Sequence, residues 1–338
     1  MANKTLKFVD LFCGIGGFHL AVKSASQELG LVEECVWACD IDKWARETYS
    51  ANFGIQPAGD ITEVNPKDIP DHDLLCAGFP CQPFSVFGKM RGFEDTRGTL
   101  FFEIARALKK KKPRFFILEN VKQLVSHRGG ETLAIILETL CGLGYNYHKR
   151  VLDARNFGLP QKRERVIIVG QRKGFGEFEF DWTKGENEMI PLSEIIESNP
   201  AERYNASEHI RKARQEKLNG NLPVDPGPLI YHENKSGNIS VAAYACALRA
   251  GSSYNYLLVD GKRRLTEREM LRLQGFPDSF KITASYTQVR RQTGNAVPVN
   301  MVAPVIKELL RPLTGKFVKT ESKNNTREIT SVNAHAHI

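Results

Sequence analysis

Short apolar runs alternate with amphipathic stretches through the first half of the chain. The runs at 6–12, 35–39, 73–77, 114–119, 145–152 and 165–170 predict strands. Between them, apolar residues at helical spacing predict helices over 18–29, 44–52, 100–111 and 131–143. This alternation predicts an α/β fold: a doubly wound sheet with helices on both faces. Ligands of such sheets bind beyond the carboxyl ends of the strands. The pattern breaks after about residue 182. Residues 183–262 are polar and rich in Gly, Asn, Ser and Pro, and read as a smaller, irregular domain. Order returns over 263–315. Thr266-Glu267-Arg268-Glu269 reads as an N-cap with an acidic first turn. Residues 298–310 read as a helix with proline in its first turn, returning to the sheet. The domain division is therefore 1–182, 183–262 and 263–315, with 316–338 a polar, disordered tail.

Charge adds a partner class. The net charge is +8, made of +2 over residues 1–182 (25 basic, 23 acidic), −2 over 183–260 (8 and 10) and +8 over 261–338 (14 and 6). A basic excess of this kind suits a polyanion. The apolar runs are too short to span a bilayer, and the first residues carry no signal-peptide plan, so the chain reads as cytoplasmic. Its seven cysteines form no CxxC pair, and their odd number argues against a disulfide framework. Cys35 and Cys39 have no nearby histidine and no metal site is expected. Six of the seven read as reduced core thiols.

The seventh, Cys81, lies in Gly78-Phe79-Pro80-Cys81-Gln82-Pro83-Phe84-Ser85, just past a predicted strand end. Two flanking prolines stiffen that turn and point the thiol away from the sheet, as a nucleophile requires. Further candidate groups fall at strand ends or in turns. The loop Phe12-Cys13-Gly14-Ile15-Gly16-Gly17-Phe18 lets backbone approach a ligand closely. It lacks the third glycine of a dinucleotide loop, so it fits a nucleoside better. Asp40 is placed to accept from ribose hydroxyls, and Asp60 from an adenine amino group. Glu119-Asn120 follows an apolar strand, where desolvation raises a carboxyl pKa and suits proton donation. Arg163 and Arg165 share one face if the strand extends through them, ready for a pyrimidine carbonyl, for Glu119 or for a phosphate. Asn295, in Arg290-Arg291-Gln292-Thr293-Gly294-Asn295, either closes a cofactor pocket or is a turn residue.

In this order, with Gln161-x-Arg163-x-Arg165 and Arg272-Leu273-Gln274-Gly275-Phe276-Pro277, the motifs resemble the DNA cytosine-5 methyltransferase family. The likeness is to the compact bacterial enzymes of type II restriction–modification systems. It implies transfer of a methyl group from S-adenosylmethionine to C5 of a flipped-out cytosine in double-stranded DNA. Cys81 would form a covalent adduct; Glu119, Asn120, Arg163 and Arg165 complete the catalytic set. Cofactor contacts are implied at Phe12, Gly14, Gly16, Gly17, Phe18, Asp40, Ile41, Asp60, Ile61, Pro80, Leu100 and Asn295, with Phe18 against the adenine. DNA contacts are expected at Gln82, Ser85, Phe87, Lys89, Arg97, Arg249, Arg290 and Arg291. Residues 86–99 read as a mobile, basic loop that closes on DNA. Asn234, Lys235, Asn238, Ser252 and Asn255 are candidate base readers, and Lys262, Arg263 and Arg264 candidate phosphate contacts. A monomer, paired in function with a restriction endonuclease, is expected.

Three rivals are weighed, of which a catalytically silent DNA-binding protein keeping the fold has no support, since every candidate catalytic residue is present. A tRNA cytosine-5 methyltransferase would share the catalytic motifs, but this chain lacks the Cys-Phe-Thr element of those relatives. A NAD-dependent oxidoreductase would accept the glycine loop and Asp40, but not the missing third glycine.

Overall fold

The computed structural model describes residues 4–80, 100–182, 184–218 and 227–314. Six strands form the main sheet: β1 (Thr5–Leu11), β2 (Val32–Cys39), β3 (Leu74–Gly78), β4 (Phe115–Val121), β5 (Tyr145–Asp153) and, after the two-residue β6 (Gln161–Lys162), β7 (Glu164–Arg172). Their order is β2-β1-β3-β4-β7-β5. The first four run parallel, while β7 is antiparallel to both β4 and β5.

Period-two alternation divides the core. Leu74, Cys76, Phe115 and Ile117 face one side, where helices α1 (Gly17–Leu29) and α8 (Val299–Leu310) cover them. Leu75, Ala77, Phe116 and Leu118 face the other, under α3 (Leu100–Lys111) and α4 (Glu131–Gly142). Both faces are covered, which explains why these strands read as continuous apolar runs. Helix α2 (Lys43–Phe53) completes the first half.

The segment after residue 182 holds more order than its composition predicts. Helix α5 (Glu208–Glu216) precedes an antiparallel sheet, β11-β8-β9, of β8 (Ile230–Glu233), β9 (Ile239–Ala242) and β11 (Leu257–Val259). Asn234 makes the hairpin turn, its Oδ1 accepting from the amides of Ser236 and Asn238. The short β10 (Ala245–Cys246) pairs in parallel with β6 and ties this lobe to the main body. Helix α6 (Glu267–Arg272) starts with the N-cap and acidic first turn its sequence predicts, and the two close into a capping box. Helix α7 (Tyr286–Asn295) occupies a stretch that reads as a turn.

The cysteines depart from expectation at one place. Cys13, Cys39 and Cys76 are buried and Cys35 and Cys246 half-buried, but Cys141 is exposed. Burial pushes the Cys35 and Cys39 thiols up to about 12, which keeps them protonated. Among the described residues no helix is long and apolar enough to cross a membrane. Residues 316–338 lie outside the described residues.

Candidate active site

A cavity of about 710 Å3 opens beyond the carboxyl ends of β1, β2, β3 and β4. Adjacent parallel strands there send their connections to helices on opposite faces, which leaves a crevice between the loops.

The glycine loop forms one wall. Phe12 takes the left-handed backbone region at φ 56° and lines the cavity together with Gly14. Gly16 and Gly17 act from behind. A Cβ on Gly16 would sit 2.2 Å from the Phe53 ring, and one on Gly17 would sit 2.6 Å from the Val297 carbonyl. Only glycine lets α1 begin this close to α2 and to the end of α7.

Asp40 stands at the end of β2. Its Oδ2 accepts from the Gly14 amide at 2.8 Å, and its Oδ1 from the Asp42 amide at 2.8 Å. Each oxygen keeps a second acceptor site for a hydroxyl. Burial raises the Asp40 pKa, and the two amides oppose that rise. Asp60 caps a short turn through the Thr62 amide at 2.9 Å and also lines the cavity. Ile41, Ile61, Pro80, Leu100 and Asn295 line it as well. Phe18 does not: it is 2% exposed, packed in the core beneath the loop, so Phe12 and Ile41 supply the apolar faces instead. Asp10 lies below the same loop at 0% exposure, its pKa raised well above the usual carboxylate range by burial and then by Asp40.

The opposite wall carries the paired charges. Glu119 ends the apolar run of β4 and is 7% exposed. Its Oε1 meets the Arg165 Nε at 2.7 Å across the β4–β7 pair. Asn120 is spent on backbone: its amide donates to the Phe79 carbonyl at 2.9 Å, and its Oδ1 accepts from the Val121 amide at 2.8 Å. It therefore fixes the chain just before Pro80.

Three arginines differ from expectation. Arg163 and Arg165 do not share a task. β6 ends at Lys162 and β7 begins at Glu164, so strand alternation does not carry through Arg163. Its guanidinium turns to the carbonyls of Leu248, Gly294 and Ala296. Arg290 donates to the Ser252 and Ser253 carbonyls at 2.9 and 2.8 Å and is 8% exposed, which leaves little for a phosphate. Arg263 makes a two-pronged ion pair with the buried Glu269, at 2.8 and 2.9 Å. Long side chains find internal acceptors that no local pattern reveals. Arg291 remains exposed at the cavity rim, 3.5 Å from Asp42. Arg249 packs over Tyr256, with its Nη2 3.3 Å from the His232 Nε2. Cys81, Gln82, Ser85, Phe87, Lys89 and Arg97 lie outside the described residues.

Gln292 and Glu103 are among the lining residues that escaped the motif reading. Gln292 lines the cavity and donates to the Trp44 carbonyl and the Thr48 hydroxyl, tying α7 to α2. Its place in the Arg290–Asn295 motif was the available signal. Glu103, on the first turn of α3, also lines the cavity and pairs with Arg106. Burial raises its pKa and Arg106 opposes the rise.

Comparison with known proteins identifies the family and the fold. The family model for the C-5 cytosine-specific DNA methylase matches residues 6–311. The chain is 50% identical over 300 residues to the type II methyltransferase M.NgoBI of Neisseria gonorrhoeae, covering 88% of this chain and 90% of that protein. It is 38% identical to M.HhaI of Haemophilus parahaemolyticus, over 88% of this chain and 92% of that one. The fold matches that of the S. pombe Dnmt2 methyltransferase, with a TM-score of 0.68 at 22% identity, over 91% of this chain and 99% of that chain. With a family model spanning nearly the whole described fold and a cavity where its motifs converge, the chain belongs to the C-5 cytosine-specific DNA methylase family and is a DNA cytosine-5-methyltransferase.

Proposed function

We propose that the chain methylates C5 of a flipped-out cytosine in double-stranded DNA through a covalent adduct at Cys81. The observation that carries this reading is the Glu119–Arg165 pair at the cavity wall, one strand away from the chain that leads through Asn120-anchored Phe79 into Pro80 and Cys81.

Cytosine C5 is a weak nucleophile. Addition of the Cys81 thiolate at C6, with a proton given to N3 by Glu119, converts the ring into an enamine whose C5 is nucleophilic. Arg165 orients Glu119 and offsets negative charge that develops on the ring. Once C5 carries the methyl, loss of the C5 proton to solvent, return of the N3 proton to Glu119 and expulsion of the thiolate restore the neutral aromatic base. A base inside a duplex cannot reach such a cavity and must swing out.

The cavity fits S-adenosylmethionine. Asp40 has free acceptor sites for ribose hydroxyls, Asp60 for an adenine amino group, and Phe12 and Ile41 offer apolar faces. Its volume also lies within the usual range for such ligands. When bound there, that cofactor supplies an electrophilic methyl on a sulfonium. The similarity to proteins named type II methyltransferases supports a role in protecting host DNA from a partner endonuclease.

A base-resolution methylcytosine map tests the reading. The wild-type chain, expressed in a host without cytosine methylation, should mark one short sequence. Cys81→Ala should leave that sequence unmarked, and Glu119→Gln should slow marking by about 100-fold or more. Unmarked DNA from folded wild-type protein would overturn the proposal.

A further inference from the structure

Arg163, bordering the cavity, gathers three long-range polar contacts. It is 1% exposed. Its Nη1 donates to the Leu248 carbonyl at 2.9 Å, and its Nη2 to the carbonyls of Gly294 and Ala296 at 3.0 and 2.8 Å. The last two flank Asn295, which lines the cavity. Leu248 is gripped a second time, because its amide donates to the Gln161 Oε1 at 2.9 Å while the Gln161 amide donates to the Leu273 carbonyl at 2.7 Å. A Cβ on Gly294 would lie 2.3 Å from the Ala250 nitrogen, so α7 abuts the same segment directly. Arg290, on α7, then holds the carbonyls of Ser252 and Ser253.

We propose that Arg163 is a positioning residue: it fastens the segment at 248–253 and the Asn295 wall to the catalytic strand, so that target discrimination and cofactor affinity both depend on it. This rests on the function proposed above. A planar guanidinium can span three carbonyls in fixed directions, whereas a lysine ammonium is a compact point charge on a flexible stem. Loss of the fork leaves buried carbonyls without donors and frees both walls to shift. The charge is held at a cost. Burial, and then Arg165, bring the Arg163 pKa down to about 9.

The test uses the full chain with R163K, Q161M and R165K. Calorimetry without DNA measures binding of S-adenosylhomocysteine. Methylation mapping gives the ratio of marks at the target sequence to marks at sites differing by one base. R163K should weaken cofactor binding by roughly tenfold and lower the ratio by a similar factor, the effect of losing charged hydrogen bonds. Q161M removes the hydrogen bonds to Leu248 and Leu273 but leaves the Arg163 fork in place, so it should lower the ratio and leave cofactor binding at the wild-type value. R165K should slow marking with cofactor binding unchanged. If R163K fails to fold, Q161M decides: an unchanged ratio overturns the proposal. An R163K that binds cofactor and discriminates like wild type, yet is slow, would overturn it and return Arg163 to the base. Wild type that binds cofactor but marks no DNA would instead sink the underlying function, leaving the cofactor arm of the test intact.

Discussion

The main sheet and the lobe after residue 182 are held together by different means. In the sheet, β4 and β7 carry apolar runs through their buried middles, and two large clusters cover its faces. The lobe has one smaller cluster, around Leu248, Leu257, Leu265 and Leu273. It relies more on buried charge: Arg263 with Glu269, and Arg214 with Glu233 at 2.6 Å and with the Asn255 carbonyl at 2.8 Å. The difference teaches where tolerance lies. An apolar face accepts many sequences of similar volume, whereas a buried ion pair fails when either partner is lost. The candidate site stands at the strand ends of the first region, and the second leans on it through Arg163 and Gln161.

Cutting into the sheet should have the largest effect on stability. Phe116→Ala, at 0% exposure in the central strand, should cost about 3–5 kcal/mol in denaturant unfolding. An equal loss from Leu257→Ala in the lobe would erase the contrast in packing. Glu269→Gln should come close behind, at about 3 kcal/mol, because it leaves the Arg263 guanidinium without its buried counter-charge. If that loss shows as a separate lobe transition, the two regions unfold independently; one shared transition would show that the Arg163 fastening couples them.

A pH effect should follow from the sheet side. His19 stacks on Phe53 with ring centroids 3.9 Å apart and shares a 2.7 Å hydrogen bond with the Tyr49 hydroxyl. Burial, and then Lys23, lower its pKa from 6.5 to about 4. The unfolded chain therefore takes up this proton first as pH falls. The stability tied to neutral His19 is complete above pH 6.5 and is lost toward pH 4. The melting temperature should fall across that window, and less steeply in His19→Asn. Equal slopes in the two proteins would count against it. The smallest effect is expected at the surface: Lys122→Ala removes an exposed pair with Glu164 and should shift stability by less than about 0.5 kcal/mol.

Much of the sheet was legible in advance. Each expected strand lies within a residue or a few of its observed bounds, because period-two burial and covered faces leave a local trace. The N-cap of α6 was legible for the same reason: its donors and acceptors lie within one turn. Phe12, Gly14, Asp40, Asp60, Asn295 and Glu119 were found at strand ends or turns and do line one cavity. Helix α7 was not legible, since Gly294 and Asn295 mimic a turn signal that packing against residue 250 overrides. Phe18 was assigned to the cavity although its helix turns it into the core.

The sequence alone determined which segments are strands, which faces are apolar and which chemical groups stand at the strand ends. These follow from periodicity and from bonds between near neighbours. Only the tertiary structure decided where the long cations go. The acceptors of Arg163 lie 85, 131 and 133 residues away along the chain, and a guanidinium leaves no local mark of the carbonyl it will meet.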